Sequence, residues 1–131
     1  MQSWSKSPAA TRQIGVLLFD GFSNHCLANT VEPLRAVNTL SGRVAYEWHY
    51  LALDAAPVTS SSGLSVSPHG ALAEARGELL AVMPSYGFRE HARWRSLAAL
   101  RAAAARFDVL AGLDTGSWLL AEAGLLDGYR A

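Results

Sequence analysis

Three short stretches of the chain are apolar without alternation: residues 14–19 (IGVLLF), 79–83 (LLAVM) and 109–111 (VLA). A strand with one wet face alternates polar and apolar side chains, so unbroken runs predict strands buried on both faces. Such strands need helices above and below, which points to a parallel sheet in an α/β chain. The sequence between the runs supplies those helices. Leu27, Val31, Leu34, Val37 and Leu40 recur at helical spacing. Pro33 suits a helix start better than a helix interior, which predicts a short turn and then a helix over residues 32–40, closed by Ser41 and Gly42. Residues 46–53 (YEWHYLAL) read as a second strand on their aromatic and apolar content. Weaker signals follow: a Pro/Ser-rich turn region at 55–62, a short strand at 64–66 and one helical turn within 68–76. Residues 91–106, rich in Ala and Arg with Trp94, Leu97 and Leu100 along one side, predict a strong helix. A last helix runs over 116–123, stopped by Gly124. Residues 1–12, polar and Ser/Pro-containing, are expected to be a loose arm before a domain at 13–131.

Composition narrows the partners. Half of the 131 residues are hydrophobic, enough for one domain with a proper core. Eleven basic residues balance eleven acidic ones, so no net field draws the chain to nucleic acid or to a membrane surface. No apolar run is long enough to span a bilayer, and the amino terminus lacks the apolar centre of a signal peptide. One cysteine, Cys26, excludes an internal disulfide and fits a reducing compartment, so a cytoplasmic protein is expected.

In a parallel sheet, ligands bind beyond the carboxyl ends of the strands. Three loops fall there: residues 20–23, 84–88 and 113–116. The last holds Gly112-Leu113-Asp114-Thr115-Gly116, a G-x-D-x-G between strand and helix. Its spacing is that of a nucleophile elbow, a tight turn that lifts one side chain above the sheet edge. Asp114 stands at the tip, where a hydrolytic elbow carries Ser or Cys. Read from its residues alone, Asp114 is either a carboxylate nucleophile or an N-cap and ligand contact, and the second reading is preferred because capping needs no partner residue. Thr115 is equally able to cap. Glu32 alone reads as a solvated residue at a helix start.

The residues at 14–23 (IGVLLFDGFS), 31–42 (VEPLRAVNTLSG), 46–66 and 112–131 (GLDTGSWLLAEAGLLDGYRA) resemble the class I glutamine amidotransferase-like superfamily, in its ThiJ/PfpI branch. More narrowly they are similar to the amino-terminal sensor domain of AraC-type transcriptional regulators of the GlxA-like group. The resemblance implies a three-layer α/β sandwich with a mostly parallel, flavodoxin-like sheet, and a homodimer. It implies that the chain is incomplete at its carboxyl end, with the rest of the sandwich and a helix-turn-helix module lying downstream, so that DNA is reached only through that module. The superfamily's enzymes carry a Cys at the elbow, contacted by a Glu of the first helix. Asp114 falls at the Cys position and Glu32 at the Glu position. The enzymes' glycine-rich oxyanion loop corresponds to Pro84-Ser85-Tyr86 here, which weakens backbone donation to an oxyanion.

Two carboxylates in one cleft repel unless one is protonated or a cation lies between them. This leads to the expectation of a small-molecule effector, a cationic amine, contacted by Glu32, Asp114, Thr115, Ser85 and Tyr86, with no catalytic residue, no cofactor and no metal. Trp48, Trp94 and Trp118 are available for cation–π contact, against the plainer expectation of core packing. Cys26 adjoins His25, but neighbours on a helix point in different directions, so Cys26 reads as a small buried hydrophobe. His25, His49, His69 and His91 lack metal-ligand spacing. Arg89, Arg93, Arg95, Arg101 and Arg106 read as a solvated helix face rather than a DNA surface. The expected protein is the non-catalytic, ligand-sensing and dimerising domain of a regulator. The alternatives are a hydrolase or amidase using Asp114 or Cys26, and a purely structural dimerisation domain.

Overall fold

The computed structural model describes residues 10–130. The elements in chain order are β1 (Arg12–Leu18), α1 (Asn24–Ser41), β2 (Tyr46–Ala52), β3 (Val58–Thr59), β4 (Ser65–Val66), β5 (Gly70–Ala71), β6 (Gly77–Met83), α2 (Trp94–Ala103), β7 (Phe107–Gly112) and α3 (Gly116–Glu122). Single 3-10 turns occupy Leu72–Glu74 and Phe88–His91. Five strands form one sheet in the order β5-β2-β1-β6-β7, and every pairing is parallel. β3 and β4 make a separate antiparallel hairpin.

The alternation along β1 explains the layers. Leu17 and Phe19 turn to one face and pack with Leu80 and Val82 against Leu100 and Ala103 of α2 and Leu119, Leu120 and Ala123 around α3. Val16 and Leu18 turn to the other, with Met83, and meet Leu27 and Val31 of α1 and Val58 of the hairpin. The sheet thus lies between two helical layers, as its unbroken apolar runs require.

Local chemistry moves several boundaries. α1 is one helix from Asn24, not a turn followed by a helix from Glu32. Ser23, with extended backbone, caps it through a hydrogen bond accepted from Cys26 N at 3.2 Å, and Gly42 ends it in the left-handed conformation at φ 67°. Pro33 is tolerated inside because it and Asn29, whose carbonyl loses a donor, both lie on the exposed side. Only Leu27 and Val31 of the five helically spaced residues are buried, and Leu40 is 88% exposed. The helix outruns the sheet that it covers. Asn38 secures it there, donating to Tyr46 O at 2.8 Å and accepting from Ala45 N and Tyr46 N at 2.8 and 3.0 Å.

The predicted helix over 91–106 is shorter. α2 begins at Trp94 after a 3-10 turn, and Trp94 is exposed rather than packed along the core side. The five arginines are not a uniform solvated face. Arg106 donates to Ala75 O, Ala102 O and Leu72 O at 3.0, 3.0 and 2.9 Å, clamping the 3-10 turn at Leu72–Glu74, which is the single helical turn expected within 68–76. Arg89 and Arg95 lie over the rings of Phe88 and Trp94. β1 starts at Arg12, where Arg12 N donates to Ala45 O at 2.9 Å, so Arg12 belongs to the sheet and not to the loose arm expected at residues 1–12. Residues 1–9 lie outside the described residues.

Candidate functional site

The four long strands run β2-β1-β6-β7, so chain direction across the sheet reverses between β1 and β6. A crevice opens at such a switch point, beyond the carboxyl ends of the two strands. The loops leaving β1 and β6 meet there. Tyr86 N donates to Gly21 O at 3.3 Å, and His91 Nε2 lies 2.8 Å from Asp20 O. A Cβ on Gly21 would stand 2.8 Å from Tyr86 O, so a side chain at that residue would push the loops apart. The β3–β4 hairpin closes one side. Thr59 N donates to Asp20 Oδ1 at 2.9 Å, Gly21 N to Thr59 O at 2.8 Å and Asn24 Nδ2 to Ser62 Oγ at 2.7 Å.

The elbow completes the arrangement. Leu113 N donates to Val82 O at 3.0 Å and Gly116 N to Leu113 O at 2.8 Å, drawing the turn down onto the end of β6. Asp114 has φ 55°, the left-handed conformation of a residue lifted out of a tight turn, and its side chain is exposed. Across from it Ser85 has φ 53°, is 2% exposed, and its Oγ has no hydrogen-bond partner among the described residues. Thr115 Oγ1 donates to Ser85 O at 2.7 Å and ties the two loops together.

This geometry corrects the capping expectation. The residue before α3 is Thr115, not Asp114, and neither hydroxyl nor carboxylate caps the helix. Asp114 is one residue too early and turned outward by its positive φ, while the Thr115 hydroxyl is engaged by Ser85. Asp114 is therefore free of a structural duty at the helix end, and it has no ion-pair partner among the described residues.

α1 approaches the elbow through Cys26. Cys26 and Leu113 both pack on the cluster around Phe22 and Met83. Burial pushes the Cys26 thiol up, the nearby charge of Asp114 pushes it further, and the Thr30 hydroxyl offsets part of this. Cys26 is half-buried against the core where a small buried hydrophobe is expected, and its thiol is held in the weakly nucleophilic protonated form. Alkylation of Cys26 with iodoacetamide should be slower than that of a free thiol at the same pH. Asp114→Asn should lower the midpoint of its pH profile, because a negative charge beside the thiolate is removed; an unchanged midpoint would place Asp114 out of electrostatic reach.

Glu32 lies six residues further along α1 than Cys26, roughly 9 Å of helix axis. It is exposed and bonded to Arg35 Nε at 2.6 Å, so its charge is met within its own helix. Tyr86 is 66% exposed. Of the tryptophans, Trp48 packs on the core and Trp118 stands edge-on to Phe88 at 5.0 Å, the packing roles expected of them. No group of three or more His, Cys, Asp or Glu side chains among the described residues is arranged to hold a metal ion. Nor is any described helix long and apolar enough to cross a membrane. Sequence reasoning missed the β3–β4 hairpin as a wall of the site; its two-residue strands are too short for a periodic signal, although Asp20-Gly21 marks the turn onto which it docks.

A flavodoxin-like sheet with a strained acid-tipped elbow at its switch point defines an α/β domain of the ThiJ/PfpI fold. A ThiJ/PfpI family protein from Pseudomonas syringae superposes with a TM-score of 0.70 at 24% identity, over 91% of this chain and 48% of that one. An AraC family transcriptional regulator from Pseudomonas putida superposes with a TM-score of 0.63 at 25% identity, over 90% of this chain and 64% of that one. In sequence the chain is homologous to transcriptional regulators. It is 41% identical over 119 residues to the HTH-type transcriptional regulator GbdR of Pseudomonas aeruginosa, covering 90% of this chain and 32% of the regulator. The HTH-type transcriptional regulator CdhR of the same organism is 41% identical over 116 residues, covering 88% and 34%. The corresponding figures for GlxA of Rhizobium meliloti are 37% over 120 residues, 88% and 36%. The chain spans about a third of the length of these relatives. No protein-family model matches it.

Proposed function

We propose that this chain is the effector-sensing domain of an AraC-type transcriptional regulator, and that it binds a small cationic metabolite without transforming it. The observation that carries this reading is Asp114 itself: an exposed carboxylate on a left-handed backbone, presented where a catalytic elbow presents a thiolate. A carboxylate is a poor substitute for a thiolate in acyl transfer, and the neighbouring Cys26 is held protonated. A cation is the natural partner of a carboxylate that has neither a cap nor an ion pair to satisfy it. Asp114 is the primary contact. Thr115 fixes the mouth through Ser85, the buried Ser85 hydroxyl and Tyr86 offer polar and aromatic contacts, and Glu32 joins only if the ligand outcompetes Arg35. Homology to regulators supports the regulatory role, with DNA engaged through a helix-turn-helix module outside these residues, in a cytoplasmic homodimer. The ligand acts by favouring one arrangement of the dimer over another.

Thermal unfolding against a metabolite panel tests this. A ligand that binds only the native state raises the midpoint, by an amount equivalent to about 2.7 kcal/mol at a hundred times its Kd. Cationic amines should raise it in the parent and not in Asp114→Asn. Hydrolytic turnover of ester or amide substrates that disappears in Asp114→Asn would replace the sensor with the enzyme.

A further inference from the structure

A concavity lies on the α2–α3 face, over the amino-terminal half of β1 and roughly 15 Å from the elbow loops by the length of strand between Gly15 and Asp20. Its volume is about 310 Å³, at the lower end for small-molecule sites. Gly15 lies beneath the floor: it is buried, and Leu51, Leu80 and Phe107 close over it so tightly that a Cβ there would meet them at 3.0, 3.0 and 3.2 Å. Leu51 and Phe107 line the floor beside Gly15, and His49, His69, Glu74 and Arg76 are on the rim.

The rim has a defined hydrogen-bonding sense. His69 Nδ1 accepts from Tyr50 N at 2.9 Å, and the ring stacks on Tyr50 at 5.3 Å and 13°. With Nδ1 accepting, the ring proton sits on Nε2, so the nitrogen left over is a donor. His49 meets the same ring edge-on at 5.7 Å. Arg76 has no hydrogen-bond or ion-pair partner among the described residues. The lining therefore carries two donors, the Arg76 guanidinium and the His69 Nε2–H, above an apolar floor, with Glu74 as its single negative charge.

We propose that this cleft is a second ligand site, taking a small monocarboxylate with an apolar body. The guanidinium of Arg76 and the Nε2–H of His69 receive the carboxylate, and the ring or alkyl group lies on Leu51 and Phe107. Glu74 disfavours a second negative charge and so selects against dicarboxylates. The site is independent of the cationic site at the elbow.

Titration of the whole chain with phenylacetate, followed by amide chemical shifts, tests the assignment. Saturable shifts should centre on Gly15, His69, Gly70 and Arg76 and leave the Asp114 loop unmoved. Acetate, lacking the body, and phenethylamine, with the opposite charge, should not saturate there. Arg76 is exposed, so Arg76→Gln should keep the parent spectrum and bind phenylacetate about ten-fold more weakly or worse, the loss expected for a charge-assisted pair. Failure of phenylacetate to saturate at this cleft, equal binding by Arg76→Gln, or equal binding of phenethylamine would overturn it.

Discussion

Gly116→Ala should destabilise the domain by about 4 kcal/mol or more, one of the largest effects a single methyl group can have. Gly116 is buried as the first residue of α3, and a Cβ there would sit 2.0 Å from the carbonyl oxygen of Val82 and 3.5 Å from Pro84 Cδ. The oxygen belongs to β6, whose end is fixed on both sides by β1 and β7, and it already accepts from Leu113 N. No rotamer change relieves a backbone collision. Either α3 lifts away from the sheet, exposing Leu119 and Leu120, or the elbow opens and Asp114 loses its left-handed geometry. Chemical denaturation measures the loss, and Gly112→Ala, whose Cβ would meet Ser117 N at 2.4 Å, should show a comparable loss from the same turn. A Gly116→Ala protein within about 2 °C of the parent Tm would mean that the turn is not packed on β6 as described.

Phe22→Ala should cost about 3–5 kcal/mol, a fall in Tm on the order of 10–20 °C. Phe22 is fully buried between β1 and α1, and it packs with Val16, Leu18, Leu27, Val31 and Met83. Its backbone is also a junction: Phe22 N donates to Phe19 O at 3.0 Å, and Phe22 O accepts from Ser61 N at 2.9 Å, holding the hairpin over the crevice. The truncation leaves a cavity beneath Cys26 and loosens the loop that carries Gly21. Iodoacetamide should then reach Cys26 faster even below the Tm, which separates local loosening of the site from global loss. Phe22→Leu, which keeps most of the volume, should recover most of both properties.

The long strands were legible because burial on both faces leaves an unbroken apolar run, and Val16–Leu18 and Leu80–Met83 are buried as that pattern requires. β7 departs from it. As the edge strand it leaves Val109 51% exposed, although its residues read like those of a central strand. Elements held by long-range bonds had no periodic signal. β5 has two residues placed by β2, and the neighbouring 3-10 turn is shaped by Arg106, thirty-odd residues away in the chain. Pro33 misled because a proline's cost depends on which side of a helix it faces, and that side is set by the packing of Leu27 and Val31. At the site, glycine spacing disclosed the elbow, since Gly116 closes on Val82 too tightly for any other residue. The capping role inferred for Asp114 failed for the opposite reason: a positive φ and the tie between Thr115 and Ser85 are tertiary facts, invisible in five letters.

If the acid at the elbow makes this crevice a receptor for cations, isothermal titration of the parent and of Asp114→Asn with betaine, carnitine and arginine shows it most directly. At least one of the three should bind the parent saturably, and Asp114→Asn should lose about ten-fold or more in affinity, with the fold intact by circular dichroism. Binding of a neutral or anionic metabolite at the elbow while all three cations remain silent, or an Asp114→Asn protein that binds as tightly as the parent, would contradict it.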